Sequence, residues 1–241
     1  MKPWLFISDL HLSPERPEMI ELFVRFCDDT AKQASRLYIL GDFLEFWVGD
    51  DDPAEGLEAV FESMRELSAS GVATYFMAGN RDFLVGERLA ERCGFQILTD
   101  PCMLDYAGIN TMLMHGDSLC TDDVGYQGFR KMVRSDEWQN DFLGKPVEER
   151  IAIAENLRAR SAAETSSKEA EIMDVNQDSV ESAMREAGVS LLIHGHTHRP
   201  RIHRFELDGT EVSRIVLTDW YQTGGYLALD GVSEPELRHY P

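Results

Sequence analysis

The apolar positions of this chain follow two periods in turn. Residues 4–8, 37–40, 73–77, 112–114 and 191–193 are short, nearly continuous apolar runs, each ending at polar or glycine-containing segments, as buried strands do. Between the first three runs the period becomes helical. Residues 19–33 place Ile20, Phe23, Val24 and Cys27 on one stripe behind Pro17, and residues 57–67 repeat the pattern with Gly71 just beyond. Strand, helix, strand, helix, strand predicts a βαβ series on a parallel sheet. A short helical piece at 88–92 is closed by Gly94, and runs at 103–106 and 111–114 flank Ala107 and Gly108 as a hairpin. A helix at 177–187 stops at Gly188. The rest reads as antiparallel strands at 201–207, 212–217 and 226–229, turning at Asp208 and Gly209.

One stretch breaks the alternation. From 121 to 173 strand-like runs almost vanish, and helices are predicted at 126–134, 136–143 and 147–160. The chain therefore divides into a core, 1–120 with 174–241, and an inserted helical unit at 121–173. That unit is either a helical excursion packed on the sheet or a lid over a site. Its place between two polar strand-end segments favours the lid.

A chain of 241 residues that is 43% hydrophobic can bury a sizeable core. Met1 to Trp4 leads straight into a strand, so no secretory signal is expected. No apolar run approaches the ~20 residues that span a bilayer. Cys27, Cys93, Cys102 and Cys120 show no metal or disulfide spacing and read as small buried apolar residues in a cytoplasmic protein. The formal net charge of −20 argues against nucleic acid as a partner. A phosphorylated substrate stays open, because bound cations and a few placed arginines can dominate the local field.

Each of the five apolar runs is followed by a block of ligand-type residues. These are Asp9-Leu10-His11, Gly41-Asp42, Gly79-Asn80-Arg81-Asp82, His115-Gly116-Asp117 and Gly195-His196-Thr197-His198. In open α/β sheets the loops beyond the carboxyl ends of the strands converge. Residues two apart on an extended segment point the same way, so Asp9 with His11, and His196 with His198, are expected to grip cations in pairs. Carboxylate, amide and imidazole donors suit Mn²⁺, Fe²⁺ or Zn²⁺, and no thiolate set points to structural zinc. Five of the seven histidines lie in or beside these blocks, which makes chance occurrence remote. His194 reads as a supporting or core residue, and Asp82 and Asp117 as carboxylates that orient neighbouring groups.

The ordered blocks resemble those of the calcineurin-like metallophosphoesterases. The resemblance implies an α/β fold, a sandwich of mixed β-sheets flanked by helices. It further implies a dinuclear centre in which Asp9, His11 and His198 hold one metal, Asn80, His115 and His196 the other, and Asp42 bridges them. Many members of that family carry histidine after the asparagine, where it protonates a departing alkoxide. Here the position is Arg81, which stays protonated and cannot act as a general acid. Two explanations follow: catalysis is damaged, or the leaving group needs no proton. The second is favoured, because the phosphate released from a diphosphate departs as an anion, with Arg81 binding phosphate oxygens.

A narrower group of the family, the UDP-2,3-diacylglucosamine diphosphatases of lipid A synthesis, is similar along nearly the whole chain. The similarity runs through residues 8–12, 41–45 including Glu45, 79–84, 115–117 with Asp122 close behind, 194–200, and the helical insertion. It implies two Mn²⁺ per chain. It also implies hydrolysis of the UDP-linked diacylated glucosamine to UMP and 2,3-diacylglucosamine 1-phosphate, by metal-activated water at the α-phosphorus. Substrate contacts are then expected from Asn80, Arg81, Asp123, Ser161, Thr165, Lys168 and His196. Thr165 stands where related chains more often have asparagine. Phe129, Met132, Phe142, Leu143 and Ile153 are candidates for an acyl-chain groove. Arg130, Lys131 and Arg134 are candidates for peripheral contact with the inner membrane from its cytoplasmic face. A monomer is the default expectation. The competing readings are a hydrolase of another nucleotide diphosphate or phosphodiester, and a scaffold that has lost catalysis, which would be expected to have lost ligands as well.

Overall fold

A computed structural model describes residues 2–165 and 174–241, apart from the side chains of 160–165. The expected contacts Ser161, Thr165 and Lys168 therefore lie outside the described residues or side chains. The first sheet holds β1 (Trp4–Ile7), β2 (Arg36–Leu40), β3 (Ala73–Met77), β4 (Gln96–Leu98), β10 (Gly224–Leu229) and β11 (Glu236–Tyr240), in the order β11-β10-β1-β2-β3-β4. The second holds β5 (Cys102–Tyr106), β6 (Ile109–Leu113), β7 (Leu191–His194), β8 (Arg201–Leu207) and β9 (Thr210–Val216), ordered β5-β6-β7-β9-β8. Strands β1 to β4 run parallel, as do β6, β7 and β9. The hairpins β5–β6, β8–β9 and β10–β11 make both sheets mixed.

Three apolar layers follow from the alternation within the strands. Leu5, Ile7, Leu37, Ile39 and Phe76 face α1 (Pro17–Asp29), α2 (Glu58–Ala69) and α3 (Glu87–Cys93). Phe6, Tyr38, Leu40 and Met77 point the other way, against Leu113, Ile193 and Ile215 of the second sheet. Met112 and Leu192 pack under Val180 and Met184 of α7 (Gln177–Ala187). The edge strands β4 and β11 were not expected from the sequence. They carry mostly exposed positions, as sheet edges do, so they offer no apolar run to read. Three of the four free cysteines are buried, as expected.

The insertion is helical at the expected places: α4 (Val124–Val133), α5 (Asp136–Leu143) and α6 (Val147–Thr165). Asp123 and Ser135 cap the first two by accepting from Tyr126 N and Trp138 N at 3.0 and 3.3 Å. Only Val133, Phe142 and Arg150 are buried among the described side chains from 121 to 159. Arg150 holds α6 to the core, donating to the Lys145 carbonyl at 3.0 Å, the Val48 carbonyl and Asp51.

Candidate metal centre

Every block sits at the end of one of the parallel strands, and the two sheets bring the blocks to one edge of the sandwich. The expected extended geometry does not occur there. Asp9, His11, Asp42, His196 and His198 all have positive φ, between 49° and 67°. They are five of the eight non-glycine residues with positive φ among the described residues. Left-handed backbone disfavours side-chain-bearing residues, and persists where surrounding contacts over-determine it, commonly at functional sites. Asp9 and His11 therefore converge because the chain coils back after β1. The contacts that enforce the coil are Asp9 N to Gly41 O at 3.1 Å, His11 N to Asp42 O at 2.9 Å and Trp220 N to Asp9 O at 3.0 Å.

Glycine allows the loops to meet. A Cβ on Gly41, at φ 88°, would meet the His115 ring and lie 2.7 Å from the Gly79 Cα. One on Gly195 would strike the Asp9 carboxylate and the Ser8 Cβ.

Two clusters result. In the first, ligand atoms of Asp9, His11 and His198 lie within 4.8 Å of one another. His198 Nε2 is 3.4 Å from Asp9 Oδ1, and His11 Nε2 is 3.8 Å from Asp42 Oδ2. In the second, Asn80 Oδ1 lies 2.9 Å from both His115 Nε2 and His196 Nδ1, and Asp42 Oδ1 is 3.7 Å from His115 Nε2. Asp42 thus presents one oxygen to each cluster. All seven residues expected to hold metal contribute to one or both clusters.

The donors fit divalent cations. His11 is 3% exposed, yet neither ring nitrogen has a hydrogen-bond partner, and so unpartnered a buried imidazole is rare unless it holds a metal. Burial pushes His11 below its ordinary value. Burial and the His115 charge push His196 down to about 4. Both are therefore neutral, the form a cation requires. For His115, burial is outweighed by Asp42, Asp117 and Asp9, and its pKa rises to about 9. For Asp9, burial opposes ionisation, but the His198 hydrogen bond and the nearby His115, His198 and His11 charges hold the carboxylate below the usual range. The carboxylates around His115 thus favour positive charge at that point. His115 Nδ1 donates to the Leu40 carbonyl at 2.9 Å, which leaves Nε2 facing the cluster.

Supporting carboxylates behave as expected. Asp82 accepts from Phe43 N and Gly79 N at 2.7 and 2.8 Å, fixing the Asp42 and Asn80 loops together. Burial and the neighbouring Asp42 charge raise its pKa to about 7. Asp117, fully buried, accepts from Tyr126 Oη at 2.7 Å and Arg130 Nε at 2.8 Å, with Arg134 Nη2 at 3.6 Å. Burial disfavours its charge, yet His115, His196 and Arg130 outweigh this and keep it ionised. His194 donates to the Gly195 carbonyl at 2.8 Å and accepts from Arg214 Nη1 at 3.2 Å.

The insertion reaches the same edge through contacts the sequence did not signal. Arg134 donates to the Gly79 carbonyl at 2.8 Å, and the Tyr126 ring stacks 5.9 Å from that of His196. Arg158 pairs with Glu45 at 2.9 Å. Glu45 in turn lies 3.6 Å from His11 and 3.9 Å from Arg81. The guanidinium groups of Arg130 and Arg134 are thus engaged by the buried Asp117 of the core. Their spacing with Phe129, Met132 and Val133 carried no sign of the buried Asp117 partner. Lys131 alone of the three is exposed. The acyl-groove candidates divide too: Phe142 is buried and stacks on Trp138 at 4.7 Å, Phe129 and Ile153 are half-buried, and Met132 and Leu143 are exposed. Asp123 spends one oxygen on the α4 cap. Arg81 donates its backbone N–H to Asp42 Oδ1 at 2.9 Å, which ties its turn to the shared carboxylate.

Comparison with known proteins gives the family. The family model for calcineurin-like phosphoesterases matches residues 2–200. A UDP-2,3-diacylglucosamine hydrolase of Stenotrophomonas maltophilia is 48% identical over 233 residues, 94% of each chain. Proteins of the same name from Chromohalobacter salexigens and Aeromonas salmonicida are 46% and 47% identical, covering 98% of this chain and 96% and 94% of their own. The chain belongs to the calcineurin-like phosphoesterase family.

Proposed function

We propose that this metal-dependent hydrolase cleaves the diphosphate bond of UDP-2,3-diacylglucosamine, giving UMP and 2,3-diacylglucosamine 1-phosphate. The reading rests on the similarity to the hydrolases of that name and on one observation in the site: Arg81, not histidine, follows Asn80 beside Asp42. Asp9, His11 and His198 would hold one divalent cation, and Asn80, His115 and His196 the second, with Asp42 shared. Two Mn²⁺ suit this oxygen- and imidazole-rich set. When bound, such a pair lowers the pKa of water and offsets charge on the phosphoryl oxygens.

The chain's own groups do the rest. Water adds to the α-phosphorus, the bond to the bridging oxygen breaks, and the sugar phosphate leaves with that oxygen. A phosphate monoester has a second pKa of ~6, so it departs without a proton donor. Arg81 binds the phosphate oxygens and stabilises the charge that develops on them. Asp82 keeps the Asn80–Arg81 turn in register with Asp42. The insertion, 121–173, acts as a lid on the core formed by 1–120 and 174–241, and its half-buried Phe129 and Ile153 contribute to an acyl groove. Asp123, Ser161, Thr165 and Lys168 would meet the glucosamine and its phosphate.

No helix among the described residues is long and apolar enough to cross a membrane. We infer peripheral contact with the cytoplasmic face of the inner membrane, since the substrate carries two acyl chains. Hydrolysis in ¹⁸O-water followed by phosphorus NMR tests the reaction. Label in UMP is expected. Label in the sugar phosphate would reverse the direction of attack, and absence of turnover with metal bound would exclude this substrate. Arg81→Ala should lower kcat on the order of 10²–10³-fold, the loss typical of one charge-stabilising group, with metal content unchanged. Full activity in that variant would remove the leaving-group argument.

A further inference from the structure

Tyr221 is 55% exposed at the edge of the first cluster, although apolar surface in the core was within reach of its neighbour Trp220, which is fully buried. Its ring lies 6.0 Å from that of His11, inclined by only 21°, and 5.5 Å from that of His198. The loop that carries it is fixed from below. Arg16 Nη2 donates to the Trp220 and Tyr221 carbonyls at 2.9 and 2.8 Å, Trp220 N donates to Asp9 O, and Trp220 Nε1 donates to Gly225 O at 2.9 Å. The Arg16 guanidinium stands 5.4 Å from the Tyr221 ring centroid. It also lies 3.5 Å from the His11 carbonyl. With its backbone carbonyl held by Arg16 and more than half of the residue open to solvent, the exposed part of the tyrosine is pre-organised beside the histidines.

The remaining rim belongs largely to the insertion. Tyr126 covers His196, Arg134 holds Gly79, and Arg158 reaches Glu45. A diphosphate seated across the two clusters has two substituents that must leave in different directions. If the insertion receives the acylated sugar, the nucleoside leaves past the loop between β9 and β10, where Tyr221 stands.

We propose that Tyr221 is the stacking platform for the nucleobase of the substrate, a subsite for a planar, uncharged uracil-type ring. The inference rests on the proposed nucleotide-linked diphosphate substrate. A rigid aromatic held beside the phosphate site costs little ordering on binding, and stacking tolerates any base. Recognition at this point therefore selects a nucleotide over a bare sugar phosphate, without selecting uracil strictly.

The test is calorimetric binding of UMP, AMP and ribose 5-phosphate to the purified metal-loaded protein, with no turnover required. The wild-type protein is expected to bind UMP and AMP more tightly than ribose 5-phosphate. Tyr221→Ala should weaken both nucleotides about 5- to 100-fold, the loss of one base–aromatic stack, and leave ribose 5-phosphate unchanged. Tyr221→Phe should retain the preference, because the ring and not the hydroxyl supplies it. Equal wild-type affinity for UMP and ribose 5-phosphate would overturn the proposal. So would a parallel loss of all three ligands in Tyr221→Ala, which would make the tyrosine a prop for His11 and His198. Failure to hydrolyse UDP-2,3-diacylglucosamine, with the base preference intact, would instead sink the substrate assignment and leave the subsite standing.

Discussion

The strand-end loops and the inserted helices reach the same edge of the molecule with opposite construction. In the loops, Asp9, Asp42, His115 and Asp117 are at most 2% exposed, and a backbone N–H, a backbone carbonyl or the Tyr126 hydroxyl holds each of them. In the insertion, three of the described side chains from 121 to 159 are buried, and the helices are held to the core by a handful of charged contacts. Groups that must keep sub-ångström geometry sit on a scaffold where every backbone angle is over-determined. The insertion is tied down only at points, the construction expected of a segment that admits a large apolar substrate, as proposed for it here.

The largest way to break that contrast is to remove the shared carboxylate. Asp42→Ala should cost far more than the ~10–100-fold typical of an outer-shell partner, because both clusters lose an oxygen and the Arg81 backbone N–H loses its acceptor. Metal content by elemental analysis, read beside kcat, would separate loss of cations from loss of positioning. Retained activity would mean that the two clusters work independently.

Asp117→Asn comes next, since this carboxylate belongs to both regions. It keeps the shape but loses the charge that Arg130 and Arg134 face. The expected loss is ~10–100-fold in kcat or metal affinity. Unchanged kinetics would confine the Asp117 contacts to holding α4 in place.

Much of the loop architecture was legible in the sequence because two independent signals coincide there. Apolar runs mark the strands, and residues with few uses other than ligation follow each run. The inferred reason for the pairing of Asp9 with His11 was nevertheless wrong. A two-residue period implies extended backbone, whereas the chain coils left-handed at φ 56° and 49° under tertiary hydrogen bonds that no local pattern encodes. In the insertion the helices were legible from periodicity, but their contacts were not. Arg130 and Arg134 look the same in sequence whether they meet solvent, lipid headgroups or a buried aspartate 13 and 17 residues upstream. Arg158 and Tyr221 carried no signal, because an arginine on a polar helix and a tyrosine in a loop are commonplace.

Arg150 tests how firmly the insertion is held. It is 1% exposed and satisfies the Val48 and Lys145 carbonyls. Arg150→Met would keep the aliphatic bulk and strand those acceptors, at ~1–3 kcal/mol for a buried unsatisfied group. Thermal unfolding should show a lower Tm, and limited proteolysis should cut first within 121–173. An unchanged proteolysis pattern would show that the other anchors hold the helices unaided.

The smallest effect concerns the outer surface of the insertion and the peripheral membrane contact proposed above. With Arg130 and Arg134 turned inward, electrostatic attraction from this face reduces to Lys131. Val124 and Met132, 77% and 49% exposed, are the apolar side chains available for that contact. Peripheral binding should then depend weakly on salt and more on these two side chains. Replacing both with serine should weaken partition onto vesicles of anionic and zwitterionic lipid roughly tenfold, about the loss of two partly buried aliphatic side chains. Lys131→Ala should change it much less, because one cation near an anionic surface contributes ~1 kcal/mol and is screened by salt. If Lys131→Ala released the protein while the double serine variant still bound, the contact would be electrostatic and would have to draw on cations outside α4.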